Sequence, residues 1–288
     1  MKFVTIADLS RTIRANFAKI PHDVDFVVGV PRSGILAASI IAEWLNVGLV
    51  DSDNFCGGAK PTGGRRLAYH TPSKEARPKV LVVDDTIYGG GSMRRTRQML
   101  RPFAARYEFI YCAVYLEGPC GDVDIWLEDL RGQLSTDCPY ALYEWNIFHH
   151  TLRISGRCLY DMDGVLCVEP PDERDTAAYE RYLPEAVPLF VPTNEIGGIV
   201  SYRLRKYEAV TRAWLEGHGI RYATLTMYDA ASYEERRAGY ESPAHYKAEA
   251  YRQHPDALLF IESSDHQARE IARLTGRSVY CVESNKMY

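Results

Sequence analysis

Apolar residues along this chain come in short runs rich in Val, Ile and Leu, each bounded by turn residues, and the runs alternate with stretches whose apolar positions recur at helical spacing. Such alternation predicts parallel strands joined by crossover helices, an α/β architecture. The pattern occurs twice. The first series predicts strands over 25–30, 48–51, 79–84, 109–115 and 123–127, with helices over 6–19, 35–45 and 92–100. The second predicts strands over 157–160, 198–201, 221–225, 258–261 and 278–282, with helices over 205–216, 244–252 and 266–274. Two domains are therefore expected, 1–153 and 154–288, each a mainly parallel sheet flanked by helices. The junction falls near 150–156, where HHTLRISGR follows the aromatic-rich YEWNIF. No Pro/Gly/Ser linker separates the halves, which predicts close packing and not a free tether.

Composition narrows the partners. A length of 288 residues with 46% hydrophobic and 25% charged content suits two soluble domains of ordinary size. Residues 1–155 carry 18 Lys and Arg against 17 Asp and Glu, and the remainder 16 against 21, so neither half reads as a nucleic-acid platform. No stretch reaches the roughly 18–20 apolar residues of a membrane helix, and MKFVTIADLSRTIR has no signal-peptide core, so the cytoplasm is expected and no membrane partner. The seven cysteines form no CxxC pair and are odd in number, which argues against a disulfide framework and structural zinc.

The most specific local signal is VLVVDDTIYGGGSM at 80–93: a buried strand, two carboxylates, then a glycine-rich turn opening a helix. Gly89, Gly90 and Gly91 let the backbone approach an anion, and the helix that follows offers unpaired amides, with the Ser92 hydroxyl beside them. Asp84 and Asp85 repel phosphate but accept hydrogen bonds from paired ribose hydroxyls. Together these describe a ribose-5-phosphate site. Upstream, VGVPRSG at 28–34 again follows a strand and opens an apolar helix, so Arg32, Ser33 and Gly34 are placed to meet a second anion. Between them CGGAKPTGGRR at 56–66 carries Lys60, Arg65 and Arg66 on a glycine-rich segment suited to a lid that excludes water.

In this order and spacing the first half resembles the type I phosphoribosyltransferases over about residues 1–150. The resemblance implies that phosphoribosyl pyrophosphate (PRPP) binds with Asp84 and Asp85 on the ribose hydroxyls, Thr86 to Ser92 around the 5-phosphate, and Arg32, Ser33, Gly34 and Lys60 on pyrophosphate. It also implies a nucleobase-like acceptor, and a homodimer, the frequent assembly of that family. Tyr88 departs from the family's Thr or Asp, which turns the expectation away from purine salvage of that type. Trp145, in YEWN at 143–146, reads either as a ring stacking on the base or as core.

In the second half RCLYDMDGVL at 157–166 sets Asp161 and Asp163 two residues apart after a strand and before a glycine turn. This pattern resembles the haloacid dehalogenase superfamily, whose Rossmann-like fold with a small cap is expected here. By that resemblance Asp161 attacks phosphorus to form an aspartyl-phosphate and Asp163 serves as acid and then base. Two anions beside a phosphate require a divalent cation. The implied cofactor is Mg²⁺, held by Asp161, Asp163 through its main-chain carbonyl, and Glu262, with Asp265 as the alternative acid. Ser201 and Lys247 are the implied phosphate contacts, with Arg203 assisting. The segment 167–195, Pro-rich and acidic, stands where a cap is inserted.

A transferase that makes a 5-phosphate ester and a phosphatase that removes one predict a bifunctional enzyme acting in sequence. A PRPP-binding sensor without turnover and an independent sugar-phosphate or nucleotide phosphatase are the alternatives.

Overall fold

The computed structural model of the protein describes residues 1–288 except 65–76, 135, 137 and 240–241. The chain divides into two compact units, Met1–Trp145 and Asn146–Tyr288.

The first unit runs β1 (Phe3–Val4), α1 (Ile6–Ala15), β2 (Phe26–Gly29), α2 (Gly34–Leu45), β3 (Gly48–Asp51), α3 (Ser52–Cys56), β4 (Lys79–Ile87), α4 (Gly91–Leu100), β5 (Glu108–Leu116), β6 (Ile125–Asp129) and β7 (Leu142–Tyr143). Its main sheet is parallel, in the order β3-β2-β4-β5-β6, and β1 pairs with β7 in a small second sheet. Successive strand residues point to opposite faces. Val27, Leu81, Val83, Cys112 and Val114 accordingly pack with α1 and α2, whereas Val28, Val80, Val82, Tyr111 and Ala113 pack on the other side with α3 and α4. Burial on both faces explains the unbroken apolar runs.

The second unit runs α5 (Leu152–Ser155), β8 (Cys158–Tyr160), α6 (Thr176–Glu185), β9 (Gly198–Leu204), α7 (Glu208–Gly217), β10 (Leu225–Tyr228), α8 (Tyr233–Gly239), α9 (Pro243–Arg252), β11 (Leu259–Glu262), α10 (Asp265–Thr275), β12 (Val279–Cys281) and β13 (Lys286–Met287). The sheet order is β10-β9-β8-β11-β12-β13, parallel except for the last strand. The alanines of α9 and α10 let both helices lie close on Leu159, Val200 and Phe260. In a separate cluster α6 contributes Tyr179 and Leu183, packed with Leu204, Tyr207 and Met227.

Both sheets reverse their strand order. In the first the reversal lies between β2 and β4, and in the second beside β8, whose neighbours β9 and β11 follow it on opposite sides. Crevices at the carboxyl ends of such strands are where open α/β sheets bind ligands.

Elements such as α3, α6 and α8 stand outside the expected set, and three expected elements differ clearly in extent. The helix expected over 6–19 ends at Ala15, and a 3₁₀ turn, Phe17–Lys19, follows Asn16, whose side chain bonds the Thr12 carbonyl at 3.0 Å. The strand expected to stop at Asp84 continues through Ile87, paired with β5 as far as Leu116. The strand expected over 221–225 begins only at Leu225, because Leu225 is the first residue in ladder register with β9, opposite Ile199. Among the described residues no helix is long and apolar enough to cross a membrane.

Candidate active sites

In the first unit Asp84 and Asp85 lie inside the last turn of strand pleat, both buried. Burial and the adjoining Asp85 charge raise the Asp84 carboxyl well above the usual carboxylate range. Asp85 is raised by burial too, less so because the Trp145 indole donates to its Oδ2 at 2.7 Å. Trp145 therefore reaches one of the two expected ribose ligands directly, which neither reading of its ring anticipated. Thr86 points to a further group: its hydroxyl is 2.7 Å from the Tyr143 hydroxyl, which also donates to Glu117. Glu117 follows β5, is buried, and has its carboxyl raised by that burial. Sequence reasoning passed over Glu117, since a lone acid after a strand carries no signal until the sheet order sets it beside Thr86.

The loop at 31–34 is brought onto β4 by a missing side chain. A Cβ on Gly34 would lie 2.8 Å from the Val83 carbonyl and 2.9 Å from Asp84 Oδ1, so only glycine lets α2 start against the acid. Arg32 and Lys60 are exposed and Ser33 partly so. The glycine turn follows as expected: Gly90 has φ +69° and caps α4, and its Cβ position would meet Asp122 at 2.4 Å. Arg94 braces the turn by donating to the Gly89 carbonyl at 2.7 Å and pairing with Asp122. Gly89, Gly91 and Ser92 are exposed. Of the proposed lid, Arg65 and Arg66 lie outside the described residues, and Thr62 pairs with Leu49 across an antiparallel bridge.

In the second unit Asp161 follows β8, and its amide bonds the Ile261 carbonyl at 2.8 Å. Lys247, buried on α9, donates to Asp161 Oδ2 at 2.6 Å, to Glu262 Oε2 at 2.8 Å and to Gln267 at 3.0 Å. Three residues scattered over the sequence thus meet at one ammonium. Burial, reinforced by Glu262 and Asp163, raises the Asp161 carboxyl well above its ordinary value, with Lys247 opposing. Burial alone would lower the Lys247 ammonium, and the two carboxylates outweigh it. Glu262 also accepts from the amides of Ser263 at 3.0 Å and Ser264 at 3.2 Å. Asp265, the alternative acid, instead binds Arg269 at 2.8 Å and the Tyr288 hydroxyl.

Asp163 is gripped by Arg203, whose Nε lies 2.9 Å from Oδ2. Arg203 is buried to 1% side-chain exposure, so it acts as a fixed counter-ion and not a surface assistant. Ser201 sits within β9 and not at its end, has no exposure, and accepts the Arg203 amide at 3.2 Å. It is not among the residues that line the cavity in front of Asp161, because the strand continues beyond it to Leu204. That cavity, of about 250 Å³, is lined by Asp161, Asp163, Lys247 and Arg203, with one wall from the segment expected to be a cap: Glu169, Pro170, Pro171, Glu173 and Tyr179.

No three His, Cys, Asp or Glu side chains converge as a metal-holding group among the described residues. The set expected for magnesium uses only two side chains and one carbonyl, and its charge fits. Asp161, Asp163, Glu169 and Glu173 line the cavity against Lys247, Arg203 and Arg236, leaving one carboxylate in excess, and the fully buried Glu262 is bound to Lys247. Their oxygens are the hard donors that Mg²⁺ takes.

No curated protein matches the chain. Among solved structures, the Aeropyrum pernix orotate phosphoribosyltransferase is 17% identical, over 44% of this chain and 71% of that one, with a TM-score of 0.32. The Helicobacter pylori xanthine-guanine-hypoxanthine phosphoribosyltransferase is 13% identical, over 51% and 92%, with a TM-score of 0.34. A chain of a Pnkp1/Rnl/Hen1 complex is 14% identical, over 91% of this chain and 97% of its own, with a TM-score of 0.34. The phosphoribosyl transferase domain family model matches residues 3–141, and that part of the chain, with its parallel sheet, the acids on β4 and the glycine turn before α4, has the phosphoribosyl transferase fold.

Proposed function

We propose that the protein is a bifunctional enzyme whose first unit transfers the 5-phosphoribosyl group of PRPP to a nucleobase-like acceptor and whose second unit hydrolyses the resulting phosphate ester. The observation that carries this reading is that each sheet brings a buried pair of carboxylates toward the carboxyl ends of strands at its reversal of order. The family match over residues 3–141 supports the transfer. In the first unit Asp84 and Asp85 take the ribose hydroxyls, and the amides opening α4 take the 5-phosphate. Arg32, Ser33, Gly34 and Lys60 face the pyrophosphate.

In the second unit Asp161 attacks phosphorus, and the ester P–O bond breaks with its electron pair on the alkoxide, which takes a proton from Asp163. Water then attacks the aspartyl-phosphate while Asp163 takes its proton, releasing inorganic phosphate and restoring Asp161. Lys247 neutralises the approaching phosphate, and Arg203 fixes the Asp163 carboxylate toward the cavity. Magnesium would be held by Asp161, Glu262 and the Asp163 carbonyl, supplying further neutralisation of phosphate charge.

Incubation with PRPP, Mg²⁺ and a panel of pyrimidine and purine bases tests the whole reading: pyrophosphate and inorganic phosphate should appear together. Pyrophosphate without phosphate removes the second half, and neither product removes both. One observation favours a second reading, a PRPP sensor without turnover. Trp145 already donates to Asp85 and Tyr143 already meets Thr86, so two expected ligand contacts have partners in the protein. Saturable PRPP binding with no pyrophosphate released from any base would select it.

A further inference from the structure

The cavity before Asp161 has a far wall that hydrolysis does not use. Glu173, ahead of α6, pairs with Arg236 of α8, their side chains 13% and 8% exposed. Arg236 also donates to the Tyr202 carbonyl at 2.6 Å, and its guanidinium lies 4.4 Å from the Tyr202 ring centre and 5.3 Å from that of Tyr233. Glu173 Oε1 is buried and has no hydrogen-bond partner among the described residues. A buried carboxylate oxygen without a donor is costly, and such groups are nearly always satisfied. Glu173, Arg236 and the rings of Tyr179, Tyr202 and Tyr233 all line the same cavity as Asp161 and Lys247.

We propose that this wall is a subsite for the alcohol part of the phosphoester and that it takes a ribonucleoside, with a ribose hydroxyl donating to Glu173 and the base lying against the Tyr202 and Tyr233 rings. The proposal deepens the phosphatase reading and rests on it. Three features select the class. A carboxylate accepts only, so the ligand must bring O–H or N–H donors to it. The Arg236 charge is already matched by Glu173, so this wall does not attract a second phosphate as a bisphosphate would require. The Tyr202 and Tyr233 rings, partly exposed beside Arg236, offer apolar surface at the rim, which suits a planar heterocycle better than a bare sugar. A volume of about 250 Å³ is below the roughly 300–1,000 Å³ of drug-sized ligand sites. It accommodates the phosphoribosyl group and leaves the base at the tyrosine-lined rim.

Phosphate release by the full chain with Mg²⁺ is to be measured on adenosine 5′-monophosphate, its 2′,3′-dideoxy counterpart and 4-nitrophenyl phosphate. The unaltered chain should favour the ribonucleotide over the dideoxynucleotide by about tenfold or more in kcat/KM, as loss of a hydrogen bond to a charged group implies. Glu173→Leu should bring that ratio close to one. Because this substitution can misplace Arg236, adenosine and 2′,3′-dideoxyadenosine are also compared as inhibitors of 4-nitrophenyl phosphate hydrolysis by the unaltered chain, where adenosine should be the stronger by a similar factor. Equal turnover of the two nucleotides, equal inhibition by the two nucleosides, or a preference that survives Glu173→Leu overturns the subsite while leaving the Asp161 assignment standing. Absence of turnover on all three esters overturns both.

Discussion

The two units bury carboxylates at equivalent places in their sheets and balance them differently. Asp84 and Asp85 have an indole N–H and main-chain amides for partners, with no cation in hydrogen-bond contact among the described residues, and both carboxyls are raised. Asp161 and Glu262 share the Lys247 ammonium. The first pair thus has no built-in cation among the described residues, whereas the second carries part of its neutralisation in the fold. Removing the built-in cation should cost stability, and removing an unbalanced acid should return some.

The sharpest test of the contrast is Asp161→Asn, which removes the proposed nucleophile and keeps the Lys247 contacts to Glu262 and Gln267. Phosphate release should fall by about a thousandfold or more, read by a phosphate assay, while pyrophosphate release by the first unit persists. Undiminished phosphate release would end the aspartyl-phosphate assignment.

Lys247→Met comes next. It leaves Asp161 and Glu262 buried without their shared partner, and breaking such a pair costs about 3–5 kcal/mol. Urea unfolding of the full chain should detect it, and an unchanged midpoint would mean that the two carboxylates are not held as described.

Asp84→Asn should act in the opposite direction. The folded carboxyl is raised, so as pH climbs past about 4 the unfolded chain ionises first and stability is lost until the raised folded value is passed. At neutral pH the substitution should stabilise the first unit, while PRPP affinity falls. Hydrogen-exchange protection of β4 amides at pH 5 and pH 8, corrected for intrinsic exchange, reads the effect: the decline between those values should shrink in the variant. Gly34→Ala sharpens the geometry of the same site. Its Cβ must displace the Val83 carbonyl or the Asp84 carboxylate, a strain of about 1–3 kcal/mol, and calorimetric titration with PRPP should show weaker binding.

Much of this was legible in the chain. Fully buried parallel strands announce themselves as Val- and Leu-rich runs, and acids or glycines directly after them stand out because nothing in the pattern explains them. Asp84, Asp85 and Asp161 were singled out in that way, and Lys247 by the resemblance, from its place on the helix before an acidic strand. What stayed hidden depends on sheet order or long-range packing. Glu117 gains meaning only when β5 lies beside β4, and Arg236 sits in SYEERRAGY, which reads as a solvated helix face until Glu173 and Tyr202 enclose it. The apolar run ended the expected strand at Ser201, whereas β9 continues past it with Arg203 pointing to Asp163. The length of β4 was underestimated because charge ordinarily ends a buried strand, and here the sheet takes both acids in.

The bond from Trp145 to Asp85 makes the first unit its own optical gauge. An indole whose N–H sits on a buried carboxylate emits according to that neighbour's charge and hydration, so a ligand hydroxyl taking the carboxylate would alter the emission of this ring. Comparison with Trp145→Phe isolates its signal from Trp44, Trp126 and Trp214, and occupancy can then be followed in real time without a label.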